Sequence, residues 1–289
     1  MTSKRHEFLD KIAQIKDLPS FPEVVARVMD TIGRTDANLD DLSKIINEDP
    51  SLAARMLKVV NSVYFATSYR EISSIKEALV RLGFSEVYRI CLTSQIIKLF
   101  ENSKKSIDYK TFWKHSLMVA MTTRLVHEYS STAGEEQLDT CFTAGLLHDI
   151  GVFVLDQFFH DDYVKTQTAV DATGSSCHEI EREMLGLDHG ELGGFLLRHW
   201  KLPENLIQAV SYHHDPGRAK PEYRNLTQMV HIANFICNNQ GFVYAQESIA
   251  ETFSYGAWHD LGLKVDDIPN VIQDVKEEVD QADLLAFLM

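Results

Sequence analysis

A chain of 289 residues, 45% hydrophobic and 24% charged, is long enough to bury a large core and too apolar to be disordered. Its four cysteines (Cys91, Cys141, Cys177, Cys237) form no CxxC pair, which excludes a zinc ribbon, gives no sign of a disulfide framework and fits a reducing cytoplasm. The formal net charge of −14 repels phosphate backbones and argues against nucleic acid as a partner. The charge is uneven. Residues 1–100 carry 14 basic and 13 acidic groups, whereas residues 241–289 carry 2 and 10. MTSKRHEFLD has no apolar core of a signal peptide. The apolar run 141–159 contains His148, Asp149 and Asp156, expensive at a bilayer centre, so it is expected to be a buried helix pair with no membrane partner.

Helix signals recur from the N-terminus onward. Ser20-Phe21-Pro22-Glu23 reads as a capping box with proline in the first turn, followed by Val24, Val25, Val28 and Met29 at helical spacing. Asn38 or Asp40 can cap a helix carrying Leu42, Ile45 and Ile46, and Asp49-Pro50 starts another with Leu52, Met56, Val59 and Val60 on one face. Ser74-x-x-Glu77 is a second capping box, Gly83 a stop, and Ser85 a restart through Val87, Ile90, Cys91 and Ile97. In this N-terminal part, Leu18, Phe21, Val25, Leu57, Val60, Leu79 and Leu82 are the expected core.

Polar residues 101–109 are the best boundary, dividing the chain into 1–105, 106–240 and an acidic extension, 241–289. Beyond the boundary the pattern predicts a helix over about 111–129 and the buried pair at 136–159. Ser176-x-x-Glu179 opens a helix ending at Gly186, Asp188 caps the next, and two more lie near 203–213 and 222–239. Only Gly241–Tyr244 and Leu261–Val265 could pass for strands, and two isolated runs make no sheet. The expected fold class is all-α, a two-lobed helical bundle.

Among twelve histidines, placement singles out His115 in WKHSL, His148-Asp149 in GLLHDIG, His189 in LDHGELGG, and His213-His214 in SYHHD. Imidazoles with a carboxylate suit Fe, Mn, Zn or Ni, one ion or two, and a pair of ions would clamp a phosphate. Singly, each histidine reads equally well as a hydrogen-bonded core or surface residue; the order of the set is what points to metal. His6, His127, His160, His178, His199, His231 and His259 fit no such spacing and receive no role.

This order of residues resembles the HD superfamily of metal-dependent phosphohydrolases, and most of all its HD-GYP branch of cyclic di-GMP phosphodiesterases. Three positions depart from that pattern. Asn234 stands where a late aspartate is expected, Val152 where a lysine often follows the HD pair, and DPGRAKPEYRN carries no GYP segment. LPSFPEVVARVM, NEDPSLAARMLKVVNSVYF and SSIKEALVRLGFSEVYRI, within a span of about 15–215, are similar to the HDOD family. That resemblance implies an HD-like helical lobe and a bacterial regulatory module that acts by binding, generally without phosphohydrolase activity. It further implies a signalling protein as partner, with a phosphate or nucleotide ligand as a second candidate. The alternative is a working metal-dependent phosphohydrolase on a nucleotide or cyclic dinucleotide; a sensor that binds without turnover lies between the two.

Overall fold

A computed structural model describes residues 2–62, 71–101, 106–132, 137–241 and 254–281. The end of the NSVYF motif and most of the first strand-like run lie outside them. Among the described residues every regular element is a helix, including Leu261–Val265, where turn and 3-10 backbone replaces the strand-like reading. The chain divides into two compact units, Met1–Leu18 with Ser103–Val275, and Pro19–Asn102 with Lys276–Met289.

The unit of residues 19–102 is built from α2 (Glu23–Ile32), α3 (Leu39–Asn47), α4 (Pro50–Val60) and α5 (Ile75–Leu99). Its caps follow the sequence. The Asn38 side chain accepts from Asp41 N, Asp49 from Ser51 N and Leu52 N, and Ser74 from Glu77 N. Each satisfies a backbone donor that the first helical turn leaves orphaned. The expected Ser20 box does not form. Pro22 itself is the N-cap, extended at ψ 119°, and its carbonyl accepts from Val25 N and Ala26 N, so Ser20 stays outside the first turn. Gly83 breaks α5 at φ 78°, a backbone region that glycine enters without a Cβ clash. Val25, Val60 and Leu79 are buried, while Leu18, Phe21, Leu57 and Leu82 are partly buried, the last two packing on Val60, Ile72 and Ala78.

The second unit holds α1 (Thr2–Ala13) and the long α6 (Tyr109–Tyr129), then α7 (Leu138–Leu147), α8 (Ile150–Phe158), α9 (His160–Thr173), α10 (Cys177–Leu185), α11 (His189–His199), α12 (Glu204–Tyr212) and α13 (Arg224–Asn239). After these come α14 (Tyr255–Asp260) and α15 (Ile268–Gln281), the latter continuing past the unit's last residue, Val275. The sequence reading placed residues 1–18 in one lobe with residues 19–105. Phe8 and Ile12 instead bury themselves here, the Phe8 ring tilted against Phe159 with centroids 4.6 Å apart and Arg5 pairing with Glu191 at 2.9 Å. The run Leu138–Phe158 is apolar and long enough to cross a membrane, yet 83% of its most apolar window is buried within the protein. The described residues of the acidic C-terminal segment contribute buried side chains as well. Trp258, Leu261 and Val271 are buried, and the Tyr129 hydroxyl donates to Asp274 Oδ2 at 2.7 Å.

Candidate metal centre

Four connected pieces of the second unit carry the histidine set. His115 lies mid-α6, His148-Asp149 at the junction of α7 and α8, His189 at the first position of α11, and His213-His214 just past α12. Glycine draws these pieces together. A Cβ on Gly145 would sit 2.6 Å from Ala120 Cα, so α7 lies against α6 at backbone distance. A Cβ on Gly151 would overlap the His189 carbonyl and crowd Gly193 N, so α8 and α11 touch backbone to backbone. The two glycines flank His148-Asp149, bringing that dipeptide up against His115 on one side and His189 on the other. Asp188 fixes the start of α11 by accepting from Glu191 N at 2.8 Å and is itself held by Arg182 Nε at 2.6 Å.

The five histidines cluster around Asp149. Its Oδ2 lies 3.0 Å from His148 Nε2 and 3.7 Å from His115 Nε2, and its Oδ1 lies 3.2 Å from His189 Nε2 and 3.3 Å from His213 Nε2. His214 Nε2 comes within 2.8 Å of His189 Nε2, and His115 Nε2 within 3.3 Å of His148 Nε2. One carboxylate therefore stands between two imidazole groups. His115, His148 and Asp149 can hold one ion; Asp149, His189, His213 and His214 can hold a second. A third group of possible ligands, Cys177, Glu181 and His189, adjoins them.

The ring orientations are set from behind. His148 Nδ1 donates to the Gly145 carbonyl and His213 Nδ1 to the Val210 carbonyl, each at 2.8 Å. A carbonyl can only accept, so each Nδ1 carries a proton and Nε2 is the ring nitrogen turned toward Asp149. His189 Nδ1 donates to Glu181 Oε2 at 2.7 Å, a carboxylate behind a histidine that orients the ring and raises its basicity. His231, which no spacing singles out, donates from Nδ1 to the His213 carbonyl at 2.8 Å. His178, likewise not singled out, stacks on His214 at 4.2 Å and 15°. Glu181 escaped notice because it faces His189 from a different helix, a contact that no single-helix spacing encodes.

Burial alone would raise the Asp149 carboxyl, but the facing imidazoles of His148, His189 and His213 hold it well below the usual carboxylate range. Burial works against a charge on His189, yet the Glu181 carboxylate and Asp149 hold its pKa well above the ordinary imidazole value. Burial lowers His213, His214 and His231, and it pushes His178 down to about 3, helped by His189 and Arg182. Asn234 is buried on α13, and neither amide atom is hydrogen-bonded among the described residues. Val152 is part of the core. Of the other histidines without an assigned role, His160 pairs with Asp156 at 2.7 Å.

A family model described as the HDOD domain matches residues 18–216. The fold is shared with an HDOD domain protein of unknown function from Geobacter sulfurreducens, at TM-score 0.81 and 24% identity, covering 96% of this chain and 98% of that one. A protein from Marinobacter aquaeolei VT8, proposed as a signal transduction protein, matches at TM-score 0.81 and 19% identity, over 99% of this chain and 65% of that one. One from Shewanella amazonensis SB2B, proposed as a phosphohydrolase, matches at TM-score 0.73 and 24% identity, over 95% and 94%. An uncharacterized protein of Treponema pallidum (strain Nichols) is 24% identical over 221 residues, which is 76% of this chain and 42% of that relative. The chain thus spans less than half the length of this curated relative.

Proposed function

Because the chain belongs to the HDOD domain family, we propose that it is a bacterial signal-transduction module whose His/Asp centre binds metal without catalysis and whose surface engages a signalling protein. The observation that carries this reading is closure. His115, His148, Asp149, His189 and His213 are each 1% exposed or less, while His214 lines a cavity. A catalytic ion keeps a position open to water or substrate; a sealed ion suits structure and sensing. Asn234 adds a neutral amide where a carboxylate would strengthen a second ion. The name of the Marinobacter protein points in the same direction.

The donor set fits a divalent transition metal of the Fe, Mn, Zn or Ni type. His148 and His213 are locked with Nε2 facing Asp149, His213 Nε2 makes no hydrogen bond among the described residues, and Glu181 braces His189. A bound ion would neutralise the buried carboxylate and attract a phosphate group. His115, His148 and Asp149 would hold one ion, with His189, His213 and His214 completing a second site. A phosphohydrolase is the second reading, supported by the two oxygens of Asp149 facing separate imidazole groups, the layout that a two-ion clamp on phosphate uses.

One experiment separates the two. Protein purified without nickel resin or chelator is analysed for metal, then assayed on cyclic di-GMP and simple phosphodiesters with added Mn²⁺ or Fe²⁺. One to two equivalents of metal without turnover supports the module. Hydrolysis that disappears in His148→Ala and Asp149→Ala establishes the enzyme instead.

A further inference from the structure

The Nδ1 edge of His189, opposite the Nε2 that faces Asp149, meets a carboxylate and a thiol from α10. Cys177 opens that helix and Glu181 follows four residues later, so both lie on one helix face. Cys177 Sγ, a Glu181 oxygen and a His189 ring nitrogen fall within 4.8 Å of one another. Glu181 spans the other two. Its Oε1 accepts from Cys177 Sγ at 3.4 Å, and its Oε2 lies 2.7 Å from His189 Nδ1. Gln167 Nε2 donates to the same sulfur at 3.3 Å.

These spacings are close to those around a metal ion. In a four-coordinate zinc site, with bonds of about 2.3 Å to sulfur and about 2.1 Å to oxygen or nitrogen, neighbouring ligand atoms stand about 3.4–3.6 Å apart. The sulfur and the carboxylate already have that separation. The carboxylate and the imidazole must part by about 0.7 Å as the proton between them leaves. A thiolate and a carboxylate carry two negative charges, which a divalent ion cancels where bare charge is costly. The first turn of α10, nine residues long, favours the thiolate through its helix dipole. Val170 and Ile180 pack with Cys177 in an apolar cluster, which keeps water from competing for the ion. Ions enter closed sites as side chains part. Cys177, at 6% exposure and beside the half-buried Gln167, is the outermost of the three ligands.

We propose that Cys177, Glu181 and His189 Nδ1 form a separate site for a thiophilic divalent ion of the zinc class. Thiolate selects soft ions over manganese, which prefers oxygen donors. The ion replaces the Cys177 S–H and His189 Nδ1–H protons, which pass to solvent. A half-turn of the Gln167 amide brings Oε1 to the place of Nε2 and supplies a fourth donor. The site uses none of the ligand atoms turned toward Asp149 and stands apart from the metal-binding reading above. With only three side chains fixed on it, the ion exchanges, so titration reads the site and the metal content of purified protein does not.

The test is zinc titration of the metal-stripped full chain, read by X-ray absorption at the zinc edge. Cd²⁺ serves as a second probe, read by its thiolate charge-transfer band in the ultraviolet. The wild type is expected to show a sulfur neighbour at about 2.3 Å and the cadmium band. Cys177→Ser, with unchanged helical circular dichroism, should lose both signals, while His148→Ala should keep both. Zinc bound without sulfur in the wild type overturns the site, whether or not the variant folds, and leaves the histidine centre standing. A sulfur signal that survives in folded Cys177→Ser belongs to another cysteine and overturns it too. Sulfur-bound zinc in a chain that takes up no second ion would sustain the site while the reading of the histidine centre failed.

Discussion

Asp149 is one carboxylate facing four imidazoles within 3.7 Å, so its loss removes the shared member of both ligand groups. Asp149→Asn is expected to retain its helical circular dichroism and lose bound metal, read as metal per chain after gel filtration. Glu181→Gln should weaken metal affinity by about 10–100-fold, the usual effect of removing a carboxylate behind a ligand histidine. Protonation gives an independent check. His178, His213, His214 and His231 have pKa values depressed below the ordinary 6.5, so below that pH the unfolded chain takes up protons that the folded one refuses. Their contribution is full above pH 6.5 and lost as pH falls. His189 has the opposite sign, since its raised pKa gives stability that is complete below 6.5 and lost on the alkaline side. The Tm of chelator-treated protein should therefore fall between pH 6.5 and 5, and a flat or rising Tm across that window would contradict the buried neutral cluster. The sequence singled out the residues that cluster around Asp149 because their order along the chain was informative. It left Glu181, His178 and His231 unseen, since each acts from a neighbouring helix or from behind a ligand.

Local chemistry at helix ends was readable at four helices whose first turn a side chain caps, though not at those capped by Asp108 and Ser254. Asn38, Asp49, Ser74 and Asp188 are the four caps, and Gly83 and Gly186 take the positive φ that a break or a stop requires. Ser20 misled because Pro22 took the cap position, and α9 was missed because it has a weak apolar face and no capping residue ahead of it. The role of Gly145 and Gly151 was hidden for a different reason. A glycine inside an apolar run shows that something comes close, not what. Gly151→Ala forces α8 from α11 at the His189 carbonyl, and overpacking of this kind costs about 1–3 kcal/mol. Because His189 itself would shift, the variant should lose both Tm and metal, whereas Val80→Ala, on an exposed face of the other unit, should change neither.

The acidic C-terminal segment looked from its composition like an appendage, but Val271 is fully buried and Asp274 holds the Tyr129 hydroxyl, whose pKa that bond pushes up to about 12. A few apolar residues in an acidic stretch do not announce which helix they cover, so this packing was illegible in the sequence. Val271→Ala should destabilise the unit by about 2 kcal/mol, lowering its Tm by about 4–8 °C in a calorimetric scan. The family match ends at residue 216, yet helices as late as α15 belong to the same compact unit. The six candidate ligand residues run from His115 to His214, spread over segments that touch only when the chain between them has folded. No growing chain that stops before His214 carries the full set. On the ribosome, which adds about 5–20 residues per second, ion capture comes after most of the polypeptide has emerged. The metal would therefore arrive as the seal on a finished protein and not as a seed for its folding.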